Sequence, residues 1–193
     1  APLSTALFLK TVQSSGESFP TYVGSLFIRI DEETGLLQLN GISGLNEVII
    51  AGKKEFEYDE KLLNLLPILE TSGIRHDRRG LLTRKQFSES PEFAITTRKN
   101  EELDTFHTVF GVILQGIETL DVITNLPRYS SKTKSGYLTK DKGFDGAIAD
   151  SWFQSQRNFY ITAGKILGDP RAVDRSGKLL RRVQIKGVGM LDE

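Results

Sequence analysis

The chain has 193 residues, 38% hydrophobic and 26% charged, an ordinary globular composition that suits one domain with a substantial core. Its 25 basic and 25 acidic residues cancel, so no global field draws it to nucleic acid or to an anionic membrane. It holds no cysteine, which excludes disulfides, cysteine-ligated zinc and thiol catalysis, and no apolar run approaches the roughly 18 residues of a membrane helix. Ala1-Pro2-Leu3 shows neither the charged nor the apolar region of a secretion signal, as expected for a cytosolic or already processed chain.

Ser4 to Val12 carries apolar residues at helical spacing, with Ser4 as the expected N-cap. Gln13 to Pro20 reads as a loop. Tyr22 to Ile30 predicts a strand, ended by Asp31-Glu32-Glu33-Thr34-Gly35. Leu36 to Leu39 predicts a second, closed by Asn40-Gly41, and Val48 to Ile50 a third. Leu62 to Leu69 is an apolar run interrupted by Pro67. Leu81 to Thr83 and Phe93 to Ile95 predict further strands, and Ile117 to Ile123 a short helix. Pro127 to Asp150 is a long polar loop. Trp152 to Leu167 has helical spacing and stops at Gly168-Asp169-Pro170, and Val183, Ile185 and Val188 belong to a last strand.

The stretch from Phe93 to Glu118 is the most informative. A strand leads through a polar loop to Leu103-Asp104, then His107, then Val109-Phe110-Gly111. This order and spacing resemble the signature of the cyclophilins, peptidyl-prolyl cis-trans isomerases. Tyr22-Val23-Gly24-Ser25-Leu26-Phe27-Ile28-Arg29-Ile30 resembles the strand that carries the family's catalytic arginine, and Gly80-Leu81-Leu82-Thr83 a later strand. The resemblance implies a mainly β fold, an antiparallel barrel with capping helices, as a single domain over residues 1–193. Two departures stand out. The family's barrel starts with two strands before the first helix, whereas this chain starts at that helix, which implies a longer parent protein. An insert from about 125 to about 180 precedes the last strand. Its Ala163 to Ala172 segment resembles divergent plant cyclophilins of the thylakoid lumen.

The implied chemistry is rotation about an Xaa-Pro bond. That motion breaks amide resonance, a barrier of roughly 18–20 kcal/mol, and uncatalysed it takes ~10–100 s. A catalyst needs a donor for the prolyl nitrogen as its lone pair localises, an apolar pocket for the ring and a group to hold the neighbouring carbonyl. No cofactor and no metal is called for. The resemblance assigns the donor to Arg29 and a pocket position to His107. It places Phe27, Leu36, Leu37, Leu39, Glu92, Phe93, Ala94, Glu102 and Leu103 as substrate-binding positions. Several differ from the family pattern. Leu36 and Leu37 stand for Phe-Met, Leu39 for a Gln that orients the arginine, Glu92 for Gln, Ala94 for Phe and Glu102 for Trp. Weak isomerase activity on proline-containing polypeptides is the expectation. The alternative is a binding module, inactive as a catalyst, that serves as an assembly factor or subunit of a photosynthetic complex and meets the membrane only through that partner. His76, between Arg75 and Asp77, reads as a surface residue.

Overall fold

A computed structural model describes residues 1–129 and 177–191. The predicted helix Trp152 to Leu167 and most of the insert lie outside the described residues. Helix α1 (Pro2–Gln13) is followed by strands β1 (Leu26–Asp31), β2 (Leu36–Asn40), β3 (Leu45–Ile50), β4 (Lys53–Tyr58), β5 (Lys61–Leu63), β6 (Leu81–Lys85) and β7 (Ala94–Thr96). A 3-10 turn (Glu101–Thr105) then leads to β8 (His107–Val112), helix α2 (Ile117–Thr124) and β9 (Lys178–Gln184).

Six strands form one antiparallel sheet in the order β8-β6-β7-β2-β1-β9, and β3-β4-β5 form a second. This is the mainly β, antiparallel architecture with flanking helices that the sequence predicts. Among the described residues the large sheet runs open, with β8 and β9 as its edges. No helix among them is long and apolar enough to cross a membrane.

One face of the large sheet holds two interior clusters. Ile30, Leu37, Leu120 and Leu179 form the first, into which α2 also packs Ile117 and Ile123. Tyr22, Leu39 and Ile42 form the second, with Phe8 and Val12 of α1 and Phe93 against it. Phe93 meets Phe8, Tyr22, Phe27 and Phe110 edge-on, at 5.2 to 6.3 Å between ring centroids. Such pairs add to area burial. The Tyr22 hydroxyl donates to the Pro91 carbonyl at 2.7 Å, so its one polar atom is satisfied inside the cluster.

The start of α1 differs from the expectation. Pro2 occupies the first turn, where its missing N–H is no loss. Ser4 is buried and is not the cap. The Leu3 and Ser4 N–H groups donate to the two carboxylate oxygens of Glu70 at 2.6 and 2.8 Å. A carboxylate from 66 residues away thus meets the positive end of the helix dipole. Burial pushes the Glu70 carboxyl up, but these helix donors more than offset it and hold it below its ordinary range.

Gly177, just before β9, lies against β1, and its carbonyl accepts from the Ile30 N–H at 2.9 Å. Gly177 has φ +77, and a Cβ there would lie 1.8 Å from the Ile30 carbonyl oxygen. Gly177→Ala is therefore expected to destabilise the fold by roughly 1–3 kcal/mol, through overpacking and backbone strain. Gly187→Ala, whose Cβ would meet nothing within 4 Å, leaves the urea midpoint nearly unchanged. Equal midpoints for the two variants in urea unfolding would remove this close approach from the account.

Candidate active site

The face of the sheet opposite the interior clusters carries the candidate site. Arg29 on β1 is the cross-strand partner of Gln38 on β2, which is the partner of Ala94 on β7. Ala94 pairs with Thr83 on β6, and Thr83 with Val109 on β8. Directly opposed residues project to the same side of a sheet, so these five form one row. Ala94 lies two strand spacings from Arg29, roughly 10 Å. Leu36 shares this face with Gln38, two residues on, and packs with Ala94 and Leu103 in a cluster of its own. His107, two residues before Val109 on β8, is the partner of Lys85.

The structure thus brings Arg29, Leu36, Ala94, Leu103 and His107 to one side of the sheet. It places the other predicted positions elsewhere. Phe27 and Phe93 pack into the interior clusters, as do Leu37 and Leu39. Glu92 lies just before β7, where its Oε1 accepts from the Gly41 N–H at 2.8 Å. Burial raises that carboxyl above its ordinary range, against the pull of this hydrogen bond. Glu102 is exposed on the 3-10 turn, its N–H donating to the Asn100 side chain at 3.2 Å. Gln38 was missed. The sequence reading looks for the arginine's glutamine partner at Leu39, one residue later and on the other face.

The apolar patch is closed. Leu36, Ala94 and Leu103 are 2%, 7% and 4% exposed. The 3-10 turn that carries Leu103 is held down from both ends. The Asn100 N–H donates to the His76 carbonyl at 3.0 Å and its side-chain amide to the Thr34 carbonyl at 3.2 Å. At the far end Asp104 accepts from the His76 backbone N–H at 2.9 Å and from the His76 ring Nδ1 at 2.5 Å. The other ring nitrogen meets the Thr83 hydroxyl at 2.8 Å.

His76 is therefore not the surface residue that its charged neighbours predict: it is 1% exposed. Its chain Asp104, His76, Thr83 has the order of a hydrolase relay. Thr83, however, is fully buried, and its hydroxyl is within 3.3 Å of the Thr108 carbonyl, so it has no access to a substrate. The three residues brace β6 against the turn. Burial alone would raise the Asp104 carboxyl, but the two His76 donors outweigh it and hold it below its usual range.

His107 borders this brace, its ring 6.4 Å from that of His76 and nearly perpendicular to it. Its Nδ1 is buried with no hydrogen-bond partner among the described residues. Burial, with the nearby His76 and Lys85, lowers its pKa from the ordinary 6.5 to about 4. His107 is accordingly neutral at physiological pH. It also lines a cavity of about 450 Å³ that lies between the 71–75 segment and the start of β8.

The family model described as cyclophilin type peptidyl-prolyl cis-trans isomerase/CLD matches residues 1–141. The match spans Arg29, Gln38, the closed patch and His107.

The depressed pKa of His107 fixes the sign of a pH effect. Folding favours its neutral form, so its contribution is full above 6.5 and is lost as pH falls from 6.5 through about 4. Melting temperature should therefore drop across that window in the wild type and drop less in His107→Gln. Parallel pH profiles for the two proteins would refute the assignment.

Proposed function

The chain belongs to the cyclophilin-type peptidyl-prolyl cis-trans isomerase family, and from that premise we propose that Arg29 and His107 carry a weakened isomerase activity that assists protein folding or complex assembly. The family's reaction is rotation about Xaa-Pro bonds in proline-containing polypeptides, and the residues of this face suit its demands. A guanidinium is charged at every relevant pH and offers several donors, so Arg29 can bond the prolyl nitrogen as its lone pair localises in the twisted state. Gln38, its cross-strand partner, is placed to steady it. A neutral His107 can hydrogen-bond a peptide carbonyl without adding charge to the groove. No bond is made or broken, so the catalysis is electrostatic and steric.

The observation that carries the weakened reading is the burial of Leu36, Ala94 and Leu103 against one another. A proline ring has no open apolar floor between them, and admitting one means moving the 3-10 turn off the sheet. Every ~1.4 kcal/mol of transition-state stabilisation forgone in this way lowers the rate about tenfold. The same burial favours a second reading, a binding module that holds polypeptides without turning them. The resemblance of Ala163 to Ala172 to lumenal cyclophilins supports a place in the thylakoid lumen. It also supports assembly of a photosynthetic complex as the occasion for either activity.

Exchange spectroscopy on a short Xaa-Pro peptide series tests the proposal. Slow but measurable acceleration is expected, abolished in Arg29→Ala and reduced roughly tenfold or less in Gln38→Ala. Acceleration that survives Arg29→Ala would sink the site assignment. Peptide binding without acceleration in the wild type would establish the binding-module reading instead.

A further inference from the structure

The cavity beside His107 has no part in the chemistry described above. Its walls include Thr71, Ser72, Arg75, Gln86, Asp104 and His107, and its volume of about 450 Å³ lies within the range of ligand pockets, roughly 300–1,000 Å³. His107 belongs both to this cavity and to the candidate active face, so a chain lying across that face passes the mouth of the cavity.

The charges around it are unequal. Asp104 contributes the one carboxylate of the lining, and its Oδ1 is already engaged by the backbone and ring of His76. Arg75 is exposed, and among the described residues it forms no ion pair with a carboxylate. Its charge reaches Glu101 and Asp104 only at longer range. Lys85, the strand partner of His107, is a second exposed cation at the same end of the sheet. Hydroxyls from Thr71 and Ser72 and the amide of Gln86 complete a set of polar groups suited to a small anionic group.

We propose that this cavity is a specificity subsite that receives a carboxylate side chain, Asp or Glu, flanking the proline of the polypeptide substrate, with Arg75 as the residue that selects it. A planar guanidinium takes a carboxylate through two parallel hydrogen bonds, which an ammonium cannot reproduce. The inference rests on the isomerase reading for its orientation of the substrate, but not for the binding itself.

The test uses the full chain and one alanine-based peptide with a central proline, in which Glu, Gln, Lys or Leu replaces Ala in turn at the positions one and two residues on either side of the proline. Binding is read from amide shifts of Thr71 to Arg75 and of His107, and turnover from exchange spectroscopy. The Glu peptide is expected to bind about threefold to fivefold more tightly than the Gln peptide, the scale of one solvent-accessible ion pair. The preference should shrink with added salt. Arg75→Gln abolishes it, and Arg75→Lys, which keeps the charge, retains part of it. If Glu-selective binding appears without any acceleration, the subsite stands and the isomerase reading falls. Equal binding of all peptides, a preference for Leu, or a Glu preference that survives Arg75→Gln overturns the subsite.

Discussion

The arrangement of the candidate site depends on one extra residue in β1. The pairing of β1 with β2 runs Phe27 to Leu39 and then Arg29 to Gln38, so Ile28 is inserted as a bulge. In a regular strand Phe27 and Arg29, two residues apart, would face the same side. The bulge sets them on opposite sides, Phe27 in the interior with Leu39 and Arg29 on the candidate face with Gln38. Bulges are devices for re-aiming a side chain, and here one lets an apolar strand contribute both to the core and to a cationic site. The register of β9 is shifted at the same place, so the sheet accommodates the bulge on both sides of β1.

The second support is the brace of Asp104, His76 and Thr83. It links the segment before β6, β6 itself and the 3-10 turn before β8 through the ring and the backbone N–H of His76. A buried imidazole with both nitrogens engaged is a stiff connector, because leaving either nitrogen unpartnered in the interior is costly. The brace keeps the turn down, and the turn keeps Leu103 on Leu36 and Ala94. The same interaction that orders the site therefore also closes its apolar floor. Stability and an open proline pocket compete for one turn of chain.

Much of this was legible in the sequence. The strands around Arg29, the glycine turn before β2, the Leu-Asp, His and Val-Phe-Gly spacing and helix α2 all follow from local pattern. What was not legible came from pairing over long distances. Glu70 caps α1 from the far side of five strands, which no local capping rule reveals. His76 lies in a run of charges and reads as surface until Asp104, 28 residues later, is known to meet it. The family resemblance places Leu36, Leu37 and Leu39 together as pocket positions, and local sequence does not say which way a pleat faces. Register decides it, sending Leu37 and Leu39 inward and leaving Leu36 and Gln38 on the active face. β4 escaped because Lys53-Lys54-Glu55-Phe56-Glu57-Tyr58 is mostly charged, with Phe56 its one buried residue.

His107 is where the two halves of the candidate face meet. On one side the sheet is closed, with Thr83 and Ala94 at 0% and 7% exposure. On the other a cavity opens whose walls combine polar groups with Ile74 and Val109. Arg29 and Gln38 stay paired across β1 and β2, and His107 lies on β8 two residues from Val109, the last member of their row. Recognition by such a surface shifts from the proline ring towards the residues on either side of it. Polar groups at a solvent-accessible rim contribute more to partner choice and to encounter rate than to affinity. On the proposed reading, such a face selects its polypeptide by flanking sequence and holds it only briefly.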